Sequence, residues 1–296
     1  MRIGIFGSEY QTKQKETLKH LFEKLSCMDF ELFIEPHFLS YIRGTLELYP
    51  EVKGTMESNT EGIEIALSIG GDGTFLRTAA IVSPDGIPIL GINTGRLGFL
   101  ADISTVEIDR VLVDLAARYY KIEERTLLSL RSENHMFKGC ACALNEIAVL
   151  KRDSASMIGI QTTIDGEYLT TYQGDGLVIA TPTGSTAYSL SVNGPIMVPQ
   201  SKSFLLSPVA PHSLNVRPLV ITDDCSICLH VESRSHKFLI SLDGRSETVP
   251  VGTDLYIEKA NYTAKVIKRH DHTFYHTLRE KLKWGTDSRS VIDEEH

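Results

Sequence analysis

The chain has no long hydrophobic run, few cysteines and no excess of positive charge, and each absence excludes a class of protein. No apolar stretch in its 296 residues approaches the roughly 20 residues of a membrane-spanning helix. A net charge of −8 argues against nonspecific binding to nucleic acid or anionic lipid. The apolar stretch Met1 to Gly7 is too short for a signal peptide. We therefore expect a cytoplasmic protein without nucleic-acid or membrane partners.

Cysteine and metal-binding motifs are equally scarce. The five cysteines are an odd number in a long chain without secretory features, which argues against a disulfide framework. Cys225 and Cys228 match CxxC, but no second pair has zinc-site spacing, and in a strand the two would face opposite sides of the sheet. HExxH and Walker A motifs are absent. The sequence therefore predicts no metal held by a fixed set of protein ligands.

The first hundred residues alternate strand-like and helix-like segments. A hydrophobic fraction of 42% and a charged fraction of 23% are typical of a globular protein, and the length suits one large or two ordinary domains. The alternation predicts a Rossmann-like parallel α/β sheet with ligands at the carboxyl ends of its strands. The predicted strands are Arg2–Phe6, Glu31–Glu35, Ile65–Ile69 and Ile87–Ile92, and the predicted helices are Thr12–Cys27, Phe38–Leu48 and Thr74–Val82.

The pattern changes after about Asp102. One amphipathic helix is predicted over Val106–Tyr119 and another at Phe274–Trp284. Between them, short alternating segments separated by turns predict a layered β-sandwich, with Asp165-Gly166 as a hairpin turn. We therefore predict an α/β domain over residues 1–102 and a β-rich domain over residues 103–274.

The most informative stretch is Gly70-Gly71-Asp72-Gly73-Thr74, between a predicted buried strand and a helix. Glycines let the backbone approach a ligand, and a helix N-terminus suits a phosphate. A carboxylate in such a loop would repel phosphate unless it had its own task, such as accepting a proton from an attacking hydroxyl or holding magnesium. The alternative is a tight turn in which Asp72 caps the helix.

A second dense stretch, Gln173 to Ser191, lies in the β-rich region. Its hydroxyl and N–H groups can read an amide or a purine edge, and Tyr188 offers a face for stacking a base. Upstream, Asn145 and Glu146 interrupt an apolar run, and ribose hydroxyls would be suitable partners for such a buried polar pair. The alternatives are hydroxyl residues as turn formers, Tyr188 as a core residue, and the pair Asn145-Glu146 at a bulge or edge.

Together these stretches resemble the successive signatures of bacterial NAD kinases. The resemblance runs from about Ile65 to Trp284. Gly70–Thr74 alone is shared with lipid kinases and, loosely, with phosphofructokinases, whereas Thr181–Ser191 is what points to NAD kinase. The resembling segments are Gly70–Thr74, Asn93–Leu100, Asn145-Glu146, Asp175-Gly176, Thr181–Ser191, Pro208–Leu214 and Ser241–Gly244.

The resemblance implies a reaction and an architecture. Members phosphorylate the 2′-hydroxyl of the adenosine ribose of NAD, using ATP (in some members polyphosphate) and a divalent metal. We expect Mg²⁺, bound mainly through the nucleotide phosphates. The C-terminal helix of the family returns to the first domain, so residues 275–296 are expected to pack on residues 1–102, leaving residues 103–274 as an NAD-binding domain. Family members form homodimers and tetramers, and we expect a homotetramer or a homodimer.

The resemblance also implies roles for single residues. Asp72 would accept the hydroxyl proton, Gly73 would lie beside the substrate, and Arg77 would face phosphate. Asn145 and Glu146 would hold ribose hydroxyls or help place the metal, and Asp175 would contact the nicotinamide carboxamide. The remaining residues expected to bind NAD or ATP are Phe99, Thr183, Thr186, Ala187, Tyr188, Ser191 and Ala210.

Two other functions and three departures from the family pattern are relevant. A lipid kinase would not explain Asn145-Glu146 or Thr181–Ser191, and a noncatalytic NAD sensor would not need Asp72.

Gln173-Gly174 precede Asp175 where a basic residue often stands, and Arg245 follows Gly244 where glutamine is common. The run Pro208–Pro211 also differs from the small residues usual there. These departures bear on nucleotide contacts and on the preference for NAD or NADH.

Overall fold

The structure, a computed structural model, describes residues 1–9, 12–56, 60–95, 98–132, 137, 140–152 and 156–284. The chain forms two compact units. Unit 1 comprises Met1–Thr78, Ile87–Glu123 and Val266–His296, and unit 2 comprises Ala79–Gly86 and Glu124–Lys265. The predicted domains are residues 1–102, on which residues 275–296 are expected to pack, and residues 103–274. This division stays a prediction, and residues 285–296 lie outside the described part of the chain.

Helices and strands alternate at first, and strands dominate later. The helices are α1 (Lys15–Ser26), α2 (Pro36–Gly44), α3 (Asp72–Val82), α4 (Ile108–Ala116), α5 (Tyr188–Ser191) and α6 (Phe274–Leu282). The strands are β1 (Arg2–Gly7), β2 (Glu31–Ile34), β3 (Gly54–Thr55), β4 (Ile65–Gly70), β5 (Ile89–Asn93), β6 (Ile103–Ser104), β7 (Lys121–Arg131), β8 (Cys142–Ala143), β9 (Glu146–Lys151), β10 (Ile158–Ile164), β11 (Glu167–Gly174), β12 (Gly176–Ala180), β13 (Ser203–Val209), β14 (Leu219–Thr222), β15 (Ile227–Glu232), β16 (Lys237–Leu242), β17 (Arg245–Pro250) and β18 (Leu255–Lys268).

Unit 1 is built on a parallel sheet in the order β3-β2-β1-β4-β5, with β6 beside β5. Every residue of β4 and β5 is buried. Strands covered on both faces read as continuous apolar runs, which is why these two were recognisable in the sequence. Helices α1, α2 and α4 add their apolar faces to the same core. The predicted α/β fold is confirmed.

The sheet of unit 1 brings two sequence motifs together. Because β4 and β5 are adjacent and parallel, the loops that follow them leave the same edge of the sheet. One loop leads from Gly70 into α3 and carries Asp72. The other leads from Asn93 towards Leu100.

Unit 2 is a layered β structure, as predicted. One antiparallel sheet has the order β14-β13-β12-β9-β16-β17, and strands β11, β10 and β15 form a second antiparallel set. Apolar side chains of both, such as Ile147 on β9 and Ile160 on β10, share one core. Asp165-Gly166 turns between β10 and β11 with φ of 51° and 82°, which confirms the predicted hairpin.

Several predicted bounds differ because local rules override periodicity. Helix α2 begins at Pro36, the position where proline fits a helix, and ends at Gly44. A capping box of Ser104 and Glu107 precedes α4 as a 3₁₀ turn, so the regular helix is shorter than predicted. Cys225 lies before β15, so its predicted placement in a strand with Cys228 is wrong. Within the described ranges, no helix is long and apolar enough to cross a membrane.

Candidate active site

Asp72 is held by the backbone of the loop after β5. Its Oδ2 accepts a hydrogen bond from Phe99 N at 3.0 Å, and its Oδ1 accepts bonds from Leu100 N and Ala101 N, both at 3.1 Å. These three hydrogen bonds join the carboxylate to another loop and not to its own helix. The contacts of Asp72 therefore fit a carboxylate positioned for a reaction better than they fit a helix cap.

Glycine at position 98 makes this contact possible. A Cβ added at Gly98 would collide with the Asp72 carboxylate, Oδ1 above all. Gly70 precedes the aspartate with a φ of 151°, and a Cβ there would collide with Thr74 Oγ1. By contrast, a Cβ at Gly71 or Gly73 would meet no described atom within 4 Å. Gly98 and Gly70 thus set the position of Asp72, whereas Gly71 and Gly73 leave the backbone at the start of α3 open for a ligand.

Lys281 on α6 lies beside the same carboxylate. Its Nζ is 3.4 Å from Asp72 Oδ2 and 4.6 Å from the centroid of the Phe99 ring. Phe99 also packs near Phe274, at the start of α6, with ring centroids 6.4 Å apart. Within unit 1, helix α6 therefore contributes a cation and an aromatic ring around Asp72. Sequence reasoning missed Lys281, which is 209 positions from Asp72.

Arg77, expected to face phosphate, binds two groups of the protein through its guanidinium. Its Nη2 donates to Gly7 O at 2.5 Å and to Glu35 Oε2 at 3.1 Å. Burial raises the pKa of Glu35, and the charge of Arg77 opposes that rise. The Arg77 side chain remains 45% exposed. Its role towards phosphate stays a prediction.

In unit 2, Asp243 organises the segment that carries Asn145 and Glu146. Its Oδ2 accepts from Leu144 N at 2.7 Å, and its Oδ1 accepts from Asn145 N at 2.8 Å and Glu146 N at 3.1 Å. Asp243 has a φ of 49°, and burial raises its pKa. Asp243 was recognisable only as part of the Ser241–Gly244 resemblance, and its positioning role was not predicted.

Glu146 is the group in this segment with unused hydrogen-bonding capacity. Its Oε2 is buried and has no hydrogen-bond partner among the described residues. Burial raises the pKa of Glu146 to about 7, and the charge of Asp243 adds to the rise. An orphaned buried carboxylate oxygen needs an explanation, and a ligand hydroxyl or a cation would supply one.

The predicted base-pocket residues follow β12 directly. Residue Glu146 pairs with Ala180 in the sheet, so the turn after β12 lies next to Asn145. Thr181 N donates to Asn145 O at 2.9 Å, and Thr181 Oγ1 donates to Leu144 O at 2.6 Å. A Cβ at Gly184 would collide with the Asn145 backbone, so only glycine allows this approach. The two motifs of unit 2 are one packed assembly.

Hydroxyl groups in this turn serve two kinds of purpose. Thr186 Oγ1 and Ser191 Oγ donate to backbone carbonyls three residues earlier, at 3.2 and 2.7 Å, as turn formers do. Thr183 is buried, while Thr186 and Ala187 are partly exposed. The turn-forming alternative therefore holds for Thr186 and Ser191 alongside any ligand contact.

Tyr188 is neither a core residue nor a free surface residue. Its ring packs on the cluster of Ala148, Val178 and Leu205 but stays partly exposed. Burial raises the pKa of Tyr188, and the charges of Glu146 and Asp175 contribute. The ring is therefore supported by apolar side chains and remains partly accessible, which suits a base-stacking platform.

Asp175 and Ala210 lie at the opposite end of β12 from Glu146. Asp175 Oδ1 is 2.6 Å from Lys151 Nζ, and Asp175 N donates to Val209 O at 2.9 Å. The basic partner that the sequence lacks just before Asp175 thus comes from β9. Ala210 has a φ of 42°, and a cavity of about 590 Å³ is lined by Ser191, Ala210 and Arg217, among others.

The buried charge of Glu146 predicts a pH-dependent stability. Its pKa is raised in the folded protein from an ordinary value near 4.5 to about 7, so the folded state holds the proton more tightly. The resulting stabilisation is complete below the unfolded pKa and is lost as the pH rises through 7. We expect Glu146→Gln to raise the melting temperature at pH 8 relative to wild type, and to change it much less at pH 4.5.

The matched control is Glu23→Gln on α1, where the side chain is 62% exposed. This variant is expected to melt within a degree or two of wild type at both pH values, because surface substitutions change stability by only about 0.5 kcal/mol. If Glu146→Gln changed the melting temperature equally at both pH values, the ionised Glu146 carboxylate would not be what destabilises the folded protein at pH 8.

Comparisons with known proteins identify the family. A family model described as the ATP-NAD kinase N-terminal domain matches residues 8–120, and one described as the ATP-NAD kinase C-terminal domain matches residues 144–269. The NAD kinase of Bacteroides fragilis is 51% identical, over 98% of this chain and 100% of its own length.

Solved structures agree at the level of the fold. A yeast NADH kinase complexed with NADH has a TM-score of 0.87 at 24% identity, covering 97% of this chain and 89% of that one. An NAD kinase from Archaeoglobus fulgidus in complex with ATP has a TM-score of 0.75 at 27% identity, covering 96% of this chain and 99% of that one. With relatives so similar along the whole length, the chain belongs to the NAD kinase family.

Proposed function

We propose that this chain phosphorylates the 2′-hydroxyl of the adenosine ribose of NAD, with ATP as the donor, and so forms NADP. The family membership supports the reaction. The observation that carries the mechanism is the fixed carboxylate of Asp72, held by three backbone N–H groups at the carboxyl edge of the sheet.

Asp72 is suited to accept the proton of the attacking hydroxyl. An ionised carboxylate has about four acceptor sites, and here Oδ1 uses two and Oδ2 uses one for backbone N–H groups. The second site of Oδ2 accepts a hydrogen bond from Lys281 Nζ at 3.4 Å. A substrate hydroxyl that took this site from Lys281 would lose its proton to Asp72 as its oxygen attacks the γ-phosphorus, and the nearby Lys281 charge would limit the build-up of negative charge.

The backbone at Gly71 and Gly73 is proposed to receive donor phosphate. It is open, and it stands at the N-terminus of α3, where N–H groups and the helix dipole favour an anion. A divalent cation, Mg²⁺, would be held mainly by the nucleotide phosphates. As the alternative to binding a ribose hydroxyl, Glu146 would help to place this cation, because Mg²⁺ accepts hard carboxylate oxygens from proteins. The cation would neutralise charge on the phosphates during transfer.

The NAD-binding residues of unit 2 are proposed to have separate tasks. Asn145 and Glu146 would accept or donate to ribose hydroxyls, which would satisfy the orphaned Glu146 oxygen. Tyr188 would stack on a base, with Thr183, Thr186, Ala187 and Ser191 around it. Asp175, oriented by Lys151, would accept from the nicotinamide carboxamide, and Ala210 would lie nearby.

The Asp72 variant tests the mechanism. Asp72→Asn keeps the shape but removes the base, so we expect kcat to fall by at least about 10²-fold, the lower end of what general-base catalysis contributes. The dissociation constant for NAD should change little, because the lost interaction acts in the transition state. The measurement is steady-state kinetics with calorimetry and a melting curve. A folded variant with more than about a tenth of wild-type kcat would reduce Asp72 to a structural role.

Tyr188→Ala is the complementary variant. Base stacking contributes about 1–3 kcal/mol, so we expect a KM for NAD raised roughly 5- to 150-fold with a smaller effect on kcat. The two variants should therefore separate into a kcat defect and a KM defect. An unchanged KM together with a lower melting temperature would show that Tyr188 serves the core.

A homotetramer in the cytoplasm, supplying NADP, completes the proposal. Strands such as β14 at the sheet edge carry exposed apolar side chains, Leu219 and Val220. Exposed edges of this kind are commonly covered by a partner. Light scattering at micromolar concentration is expected to give four times the chain mass. Twice the chain mass would show a homodimer in place of a homotetramer. A monomer mass would contradict self-association.

A further inference from the structure

Four residues form a cluster in unit 2 that phosphoryl transfer does not use. Cys140 Sγ lies 3.3 Å from the Tyr262 hydroxyl on β18. Arg245, at the start of β17, donates through Nη1 to Cys140 O at 2.7 Å and through Nη2 to Cys142 O at 2.5 Å. Cys140 is partly exposed, and Cys142 and its neighbours towards β9 are buried. Two thiols two residues apart thus share a phenol and a guanidinium.

The surroundings of Cys140 favour its thiolate. A hydrogen bond from the Cys142 thiol lowers the pKa of Cys140 to about 5, against the opposing effect of burial. The Tyr262 hydroxyl, the Cys142 backbone N–H and the Arg245 charge contribute to this lowering of the pKa. The pKa of Cys142 is raised by its bond to Cys140 and by burial, so the shared proton stays on Cys142. This is the arrangement of an attacking thiolate beside a resolving thiol.

The geometry also permits the two sulfurs to join. Residues i and i+2 of an extended chain point to the same face, with Cα atoms about 6.4–6.8 Å apart. That separation is at the upper end of the range for a disulfide. Cys142 begins β8, and Cys140 lies two residues before it.

One turn connects the thiol pair to the predicted ribose site. Arg245 binds the carbonyls of Cys140 and Cys142, while Asp243, two residues earlier, binds the backbone N–H groups of Leu144, Asn145 and Glu146. A change of backbone at Cys140–Cys142 therefore acts on Arg245 and, through Asp243, on Glu146.

We propose that Cys140 is a hydroperoxide-sensitive thiol which closes a disulfide with Cys142, and that closure weakens NAD binding at Asn145 and Glu146. The second part rests on the proposed function, whereas the first does not.

The chemistry balances with a hydroperoxide as oxidant. The Cys140 thiolate attacks the O–O bond of H₂O₂, forming an S–O bond and releasing hydroxide, which becomes water with one proton from solvent. The resulting sulfenic acid is attacked by the Cys142 sulfur. The S–O bond breaks as the S–S bond forms, and the Cys142 proton leaves with the hydroxide as a second water. Two thiols are oxidised and one peroxide is reduced.

Alkylation kinetics test the thiolate directly. Iodoacetamide labelling of Cys140, read by peptide mass spectrometry, should be nearly constant between pH 6 and 8, because its thiolate is already formed at pH 6. N-acetylcysteine in the same tube, with an ordinary pKa of about 8.5, should label roughly 70-fold faster at pH 8 than at pH 6. A Cys140 rate that rises in parallel with the free thiol would overturn the proposal.

Peroxide treatment tests the disulfide. One equivalent of H₂O₂ should link the Cys140 and Cys142 sulfurs, read as the loss of two hydrogen atoms from the single peptide that carries both, and dithiothreitol should reverse the link. Cys142→Ser should instead leave a Cys140 sulfenic acid that dimedone traps. Cys228→Ser, the change of a partly exposed thiol elsewhere in unit 2, should form the link as wild type does. Absence of the link in a folded, reduced protein would overturn the proposal.

Kinetics of the oxidised and reduced forms test the coupling. We expect disulfide closure to raise the KM for NAD at least threefold, and dithiothreitol to restore it. Cys140→Ser should be insensitive to peroxide. An unchanged KM after complete closure would overturn the coupling. Failure of the proposed function would be visible separately, as a reduced protein that binds or phosphorylates no NAD while the mass spectrometric link still forms.

Discussion

The contact between the Asp72 carboxylate and the backbone of residues 99–101 is the constraint on which the catalytic account depends. A free carboxylate in a glycine-rich phosphate loop would repel the group that the loop binds. Three N–H bonds fix its position and offset part of its charge, and Lys281 offsets more. The loop after β5 is therefore required for the loop after β4 to work, which explains why both motifs occur in one chain.

Unit 2 uses the same device for a different purpose. Asp243 also accepts three consecutive backbone N–H groups, those of residues 144–146, and so fixes the segment that presents Glu146. In each case one carboxylate shapes an irregular segment that regular strand pairing cannot hold. Both carboxylates are partly exposed. They differ in their surroundings, because Lys281 lies beside Asp72, whereas burial raises the pKa of Asp243.

The sequence predicted those parts of the molecule that local patterns encode. Continuous apolar runs at β4 and β5, alternation along β10 and β16, and Asp165-Gly166 at a hairpin each state a local preference that the fold follows. The glycine-rich loop and the hydroxyl-rich turn were likewise recognisable from residue type and spacing.

Contacts between distant residues were not predictable in this way. Lys281 meets Asp72 across 209 positions, Asp243 meets Leu144 across 99, and Cys140 meets Tyr262 across 122. A single sequence carries no local signal for such pairs, because they depend on how the strands are ordered in the sheets. The Lys151 partner of Asp175 shows the consequence. No basic residue stands just before Asp175 in the sequence, yet Lys151 on β9 supplies the positive charge beside it.

The most direct test moves the Asp72 carboxylate without changing it. Gly98→Ala places a methyl group against that carboxylate, whereas Gly44→Ala at the end of α2 places one in open space. The measurement is kcat for NAD phosphorylation by both folded variants, with melting curves to confirm folding. The account predicts a loss of at least about 10²-fold for Gly98→Ala, comparable to removal of the base, and wild-type activity for Gly44→Ala. A folded Gly98→Ala variant with wild-type kcat would contradict it.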